Sequence, residues 1–100
     1  MNEPSMQEWE AMQAMALRRR NALLIPIIRV FQKRDLPEPH VYVDRSSVGT
    51  VGFDIHVNLG REWVAVLTPA QLEKLPDDEL IEEVNRSIDE YLASRPLTHN

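Results

Sequence analysis

The apolar residues of the first third of the chain recur at helical spacing. Met6, Trp9, Met12, Ala16, Leu17, Leu23, Leu24, Ile27, Val30 and Phe31 fall within one stripe at about 100° per residue. Ser5-Met6-Gln7-Glu8 opens the stripe as a capping box, in which the serine hydroxyl and the glutamate carboxylate satisfy each other's amides. The stripe keeps its phase across Pro26, which falls on its outer side. A proline there removes a hydrogen bond and bends the axis. The pattern therefore predicts one long helix kinked near Asn21 to Pro26, with two separate helices as the alternative. Asp35-Leu36-Pro37-Glu38-Pro39 ends it and forces an extended connector.

The period then changes from 3.6 to 2. Val41 to Arg45 and Val51 to Val57 alternate, and Trp63 to Leu67 is an unbroken β-prone run. Ser46-Ser47-Val48-Gly49 supplies the first turn and Asn58-Leu59-Gly60-Arg61 the second, both short enough for antiparallel hairpins. Helical spacing returns at Thr68-Pro69-Ala70-Gln71, a second capping box with proline at the first helical position. That short helix ends at Leu75-Pro76. Asp77 is expected to cap an amphipathic helix whose inner stripe is Leu80, Ile81, Val84, Ile88, Tyr91 and Leu92, and Ser94-Arg95-Pro96 stops it.

These elements predict a single α+β domain over residues 1–100, with 1–4 and 96–100 frayed. Its order is α-β-β-β-α-α: a three-stranded antiparallel β-meander packed on one face by a long, kinked N-terminal helix and a C-terminal amphipathic helix. Val51, Phe53, Ile55 and Val57 are the sheet's expected contribution to the core.

Composition narrows the chemistry. The chain has 100 residues, 43% of them hydrophobic, and no cysteine. Disulfides, thiolate metal sites and cysteine nucleophiles are excluded. Met1-Asn2-Glu3-Pro4 lacks the basic and apolar regions of a secretory signal, and Ala22 to Ile28 is too short an apolar run to span a bilayer. The expectation is a soluble, cytoplasmic chain without membrane contact.

The net charge of −5 is unevenly spread. Arg18, Arg19, Arg20, Arg29, Lys33 and Arg34 form a basic stretch without an acidic residue. Glu73, Asp77, Asp78, Glu79, Glu82, Glu83, Asp89 and Glu90 make the last third acidic. The two can meet inside one subunit, across a homodimer or on a foreign partner. Nucleic acid is the alternative partner, with Arg18 and Arg29 sharing one side of the helix and Arg19 and Lys33 another. Against it, three consecutive arginines fan around a helix axis, and aromatics that could stack on bases are few.

Catalytic signals are sparse. Asp54, His56 and Asn58 share the polar face of the middle strand, where a carboxylate could orient an imidazole as general base. A flat, solvated face with no local nucleophile is the simpler expectation, so no catalytic residue is assigned, and an Asp54/His56 enzyme stays the second alternative. His40, His56 and His99 lack metal-site spacing, and Asp77-Asp78-Glu79 suits a helix start. Gly49, Gly52 and Gly60 make no phosphate-binding fingerprint. No metal or cofactor is expected. Gly52 reads as a bulge or a place of close packing.

The third strand is the most informative segment. Trp63, Val64, Ala65, Val66 and Leu67 are apolar on both faces. If Gly60 closes a three-residue loop, Trp63, Ala65 and Leu67 face the core and Val64 and Val66 join His56. A slip of one residue swaps the sets. Either way apolar surface and an unguarded strand edge remain. Met15, opposite the main helical stripe, adds a second apolar contact point. The expected function is a non-enzymatic protein-binding or regulatory domain, such as an adaptor, inhibitor, immunity-type protein or regulatory subunit. Its contact residues would be Trp63 to Leu67 and Met15, and its partner a second copy or a different protein.

Overall fold

A computed structural model describes residues 3–46 and 51–95. In chain order the elements are α1 (Met6–Lys33), β1 (His40–Arg45), β2 (Phe53–Leu59), β3 (Glu62–Leu67), α2 (Pro69–Lys74) and α3 (Asp77–Ser94). The strands form one antiparallel sheet in the order β1-β2-β3, as the alternating runs predict. The helices pack on one face of it. α1 lies against β1 and β2, α3 against β3, and the two helices touch.

α1 is a single helix of 28 residues, so the two-helix alternative does not form. The Ser5–Glu8 capping box is present. Pro26 cannot donate to the carbonyl of Ala22, but Ala22 is exposed, where water can serve that oxygen. The helix ends in a reciprocal pair of bonds that the sequence reading missed. Asp35 adopts φ 56°, its amide donates to Gln32 O at 3.1 Å, and the Leu36 amide donates to Phe31 O at 3.0 Å. Aspartate tolerates this left-handed turn better than most side chains, and it folds Leu36 back towards the core.

Leu23, Ile27 and Phe31 of α1 meet Val41, Ile55, Val57, Ala65 and Leu67 of the sheet and Leu80, Val84 and Ile88 of α3 in one core, with Leu72 of α2 at its margin. Several expected facings are corrected. Val51 lies in a bend before β2 and is exposed, so it adds nothing to the core. Phe53, at the sheet's end, is half-buried and meets the Trp9 ring edge-on at 5.7 Å, with the Arg45 guanidinium 4.1 Å over that ring. Met6 and Leu17 on α1 and Leu92 on α3 are exposed, because each lies at the end or edge of its stripe. Asp77 does not cap α3. Pro76 holds the N-cap position without a side-chain bond, and Asp77 begins the helix.

The opposite charges meet inside the subunit. Arg19 donates to the Leu72 and Leu75 carbonyls at 2.7 and 2.9 Å and to the Asp77 carboxylate at 2.8 Å, tying α1 to the α2–α3 junction. Arg34 reaches Asp89 at 2.6 Å and Asn85 on α3. The N-terminal end of α2 is equally close. A Cβ on Gly52 would stand 2.9 Å from Pro69 Cβ, which bears out close packing at that glycine. No described helix is long and apolar enough to cross a membrane. The expected turn at Ser47 to Gly49 and the frayed ends at 1–2 and 96–100 lie outside the described residues.

Candidate functional site

The two edges of the sheet are treated differently. At the β1 edge, Arg20 of α1 donates from Nε to the Val41 carbonyl at 2.9 Å, so a group that could pair with another strand is already occupied. At the β3 edge no side chain among the described residues bonds the strand's backbone. The direction of its free groups follows from the hairpin. Gly60, at φ 59°, and Arg61 form a two-residue turn between the paired Leu59 and Glu62, with glycine at the first central position as a II′ turn requires. Leu59 and Glu62 then exchange hydrogen bonds, and alternation makes Val57 and Ile55 the β2 residues that bond β3. Ala65 and Leu67 oppose those two. Val66, between them, turns its amide and carbonyl away from β2.

Neither expected register of β3 holds along its whole length. Trp63 pairs with Asn58, but Val57 pairs with Ala65, so Val64 is an extra residue forming a β-bulge. Before the bulge the strand follows the two-residue turn, which places Trp63 on the face away from the helices. After it, Ala65 and Leu67 face the core and Val66 joins His56. The strand's apolar excess is thereby sorted. Val64, Ala65 and Leu67 are buried, so they offer a partner no free side chain, while Trp63 is 60% exposed and Val66 half-buried. Met15 is also corrected. It packs half-buried against the core, on the flank of α1 that carries Arg19 one turn later and faces α2.

Beside this edge runs a groove of about 330 Å³ between β3 and α3. Trp63 to Val66 form one wall. Ser87, Glu90, Tyr91 and Ser94, successive turns of one α3 flank, form the other. Arg86 donates to the carboxylates of Glu83 and Glu90. Its hydrogen bonds hold the Glu83 carboxyl below the usual carboxylate range, and Glu83, then Glu90, push the Arg86 guanidinium up. The Tyr91 phenol is pushed up, first by loss of water and then by the Glu62 carboxylate. Arg95, just past the end of α3, lies 3.0 Å from the Tyr91 hydroxyl and 4.0 Å from Glu62.

The face of β2 expected to be solvated is not. Asp54, His56 and Asn58 are only 6%, 4% and 8% exposed. The reason is cross-strand. Tyr42 opposes His56 with ring centroids 5.2 Å apart, and Trp63 meets His56 edge-on at 4.9 Å, so two large rings lean over the central strand. Tyr42 Oη accepts from Asn58 Nδ2 at 2.9 Å. Asp54 Oδ1, both His56 nitrogens and Asn58 Oδ1 have no hydrogen-bond partner among the described residues. His56 Nε2 lies 3.5 Å from Asp54 Oδ2, too far for an ordinary hydrogen bond. These two residues do not line the groove. Large aromatics on both flanking strands were the missed sequence signal.

Asp54 also stands directly opposite Asp44, and like charges across a strand pair are unfavourable. Asp54→Val is therefore expected to stabilise the fold by about 1–3 kcal/mol, because an unpartnered buried oxygen is removed and a β-branched side chain suits the strand. A urea melt reads this directly. A lower midpoint would mean that the Asp54 carboxylate stabilises the fold where it stands.

Half of the basic segment is consumed inside the subunit. Arg19, Arg20 and Arg34 bond within the chain, whereas Arg18, Arg29 and Lys33 are exposed and have no ion pair among the described residues. The described residues contain no metal-ligand cluster. No family model, curated protein or solved structure matches this chain.

Proposed function

We propose that this chain is a small protein-binding domain that acts by contact rather than chemistry, through the edge of β3 and the groove beside it. The contrast between the sheet's two edges carries the reading. Arg20 occupies the Val41 carbonyl of β1, while the outward amide and carbonyl of Val66 on β3 have no bond from any side chain among the described residues. Natural sheets guard their edges with charge, proline, bulges or covering elements. β3 has a bulge at Val64 but no charge from Trp63 to Leu67, and its largest exposed side chain is an aromatic. Strand addition at such an edge gains backbone hydrogen bonds, and the adjoining groove can take alternate side chains. The exposed strip Arg18, Arg29 and Lys33 keeps a nucleic-acid partner as the second reading.

One comparison separates the two. A partner isolated with the parent chain is expected to lose binding at least about tenfold to Trp63→Asp or Val66→Pro, both of which leave circular dichroism unchanged. Proline is tolerated on an edge strand where the amide faces outward. The triple change of Arg18, Arg29 and Lys33 to glutamate is expected to leave that binding intact. Loss only in the triple variant, with strong salt dependence, would transfer the function to α1.

A further inference from the structure

We infer that the groove between β3 and α3 takes an extended peptide segment of another protein as a fourth strand, with apolar side chains and one lysine or arginine set opposite Glu90. This rests on reading β3 as a binding edge and adds the chemistry of what binds there. α3 runs opposite to β3, since Arg95 at the helix end is 4.0 Å from Glu62 at the strand start. The groove runs beside four residues of the strand, Trp63 to Val66. An added strand would bond the outward groups of Val66. Its side chains would alternate between the α3 wall and the opposite face, beside Trp63 and Val66.

The α3 wall selects the charge. Among the described residues, Glu90 is the only charged side chain lining the groove, and its exposed carboxylate shares the single Arg86 guanidinium with Glu83, which leaves one negative charge of the three groups uncompensated. Glu62 and Glu83 stand nearby, while the Arg86 and Arg95 guanidiniums are already turned onto carboxylates and the Tyr91 hydroxyl. Ser87 and Ser94 are small and leave room on the wall for the methylene stem of a lysine or arginine. A second copy fits less well. It would bring its own Glu62 and Glu90 to the same edge, on a chain of net charge −5, and like charges facing each other oppose association.

The test is selection of a phage-displayed random octapeptide library on the full chain, followed by affinity measurement with the selected synthetic peptides. The expected peptides are β-branched or aromatic at alternate positions with a lysine or arginine. They should bind about tenfold more weakly to Glu90→Lys and at least about tenfold more weakly to Val66→Pro or when N-methylated at the pairing amides. Glu90 lies on an exposed helix flank, so Glu90→Lys keeps its fold and stands as a test even if Val66→Pro does not. Peptides that need the Val66 edge but lack a basic residue, or ignore Glu90→Lys, would overturn this inference and leave strand addition standing. Self-association of the parent, lost in Val66→Pro and competing with the peptides, would replace the foreign segment by a second copy and also overturn it. A selection yielding nothing sensitive to Val66→Pro or to N-methylation, from a monomeric parent, would overturn both this inference and the binding edge.

Discussion

Phe31→Ala is expected to destabilise the domain by about 3–5 kcal/mol, the cost of deleting a fully enclosed phenyl ring that its neighbours cannot replace. Phe31 is the largest side chain with no solvent exposure. It lies in the last turn of α1, and its own carbonyl accepts from Leu36 in the turn that sends the chain towards β1. The ring thus belongs to the core and to the helix terminus at once. A domain of this size has about 5–15 kcal/mol in total, so the variant should be near the edge of folding at ambient temperature. Guanidinium melts of parent and variant would show it as a lower midpoint with an unchanged slope. An unaltered midpoint would mean that α1 does not seat this face on the sheet.

Gly52→Ala is expected to cost about 2–6 kcal/mol, from two separate sources. Its φ of 135° is backbone that L side chains rarely adopt, worth about 1–3 kcal/mol. The added Cβ would also sit 2.9 Å from Pro69 Cβ, a distance at which something must move, and overpacking costs about 1–3 kcal/mol more. Pro69 has no freedom to yield, because it begins α2 inside the Thr68–Gln71 capping box. Thermal unfolding followed by circular dichroism would read the loss. If Gly52→Ala melts with the parent, β2 does not start against α2 in the way described.

Local chemistry made most of the fold legible in advance. Both capping boxes, Pro69 at the first turn of α2 and the change of period from 3.6 to 2 put every element in its place, because each rests on bonds between residues three or four apart or on strict alternation. Facings failed where a distant element intervened. Met15 falls opposite the main apolar stripe of α1 by periodicity, yet it packs half-buried against the core on the flank from which Arg19 reaches the Leu72 and Leu75 carbonyls. Asp77 has the composition of a cap, but Pro76 takes the position and Arg19 takes the carboxylate. The register of β3 was undecidable from its sequence. A bulge at Val64 lets one strand satisfy both alternatives in turn, and nothing in five consecutive apolar residues marks where it falls. The burial of His56 depends on Tyr42 and Trp63 arriving from separate strands, which periodicity along β2 does not reveal. The candidate binding strand was legible as a segment, but its accessible residues were not.

A binding edge at β3 requires that its outward backbone be open in the free protein and covered in the complex, and amide hydrogen exchange at three consecutive residues measures this. In dilute free protein, Ala65 and Leu67 oppose Val57 and Ile55 across the hairpin, and Leu67 should exchange as slowly as the core. The Val66 amide should exchange orders of magnitude faster, because it faces away from β2 and no side chain among the described residues bonds it. On addition of a partner, Val66 should become protected while Leu67 changes little. A Val66 amide already as slow as Leu67 in the dilute monomer, or one that stays fast in a saturated complex, would contradict the claim that β3 is the edge at which this protein binds.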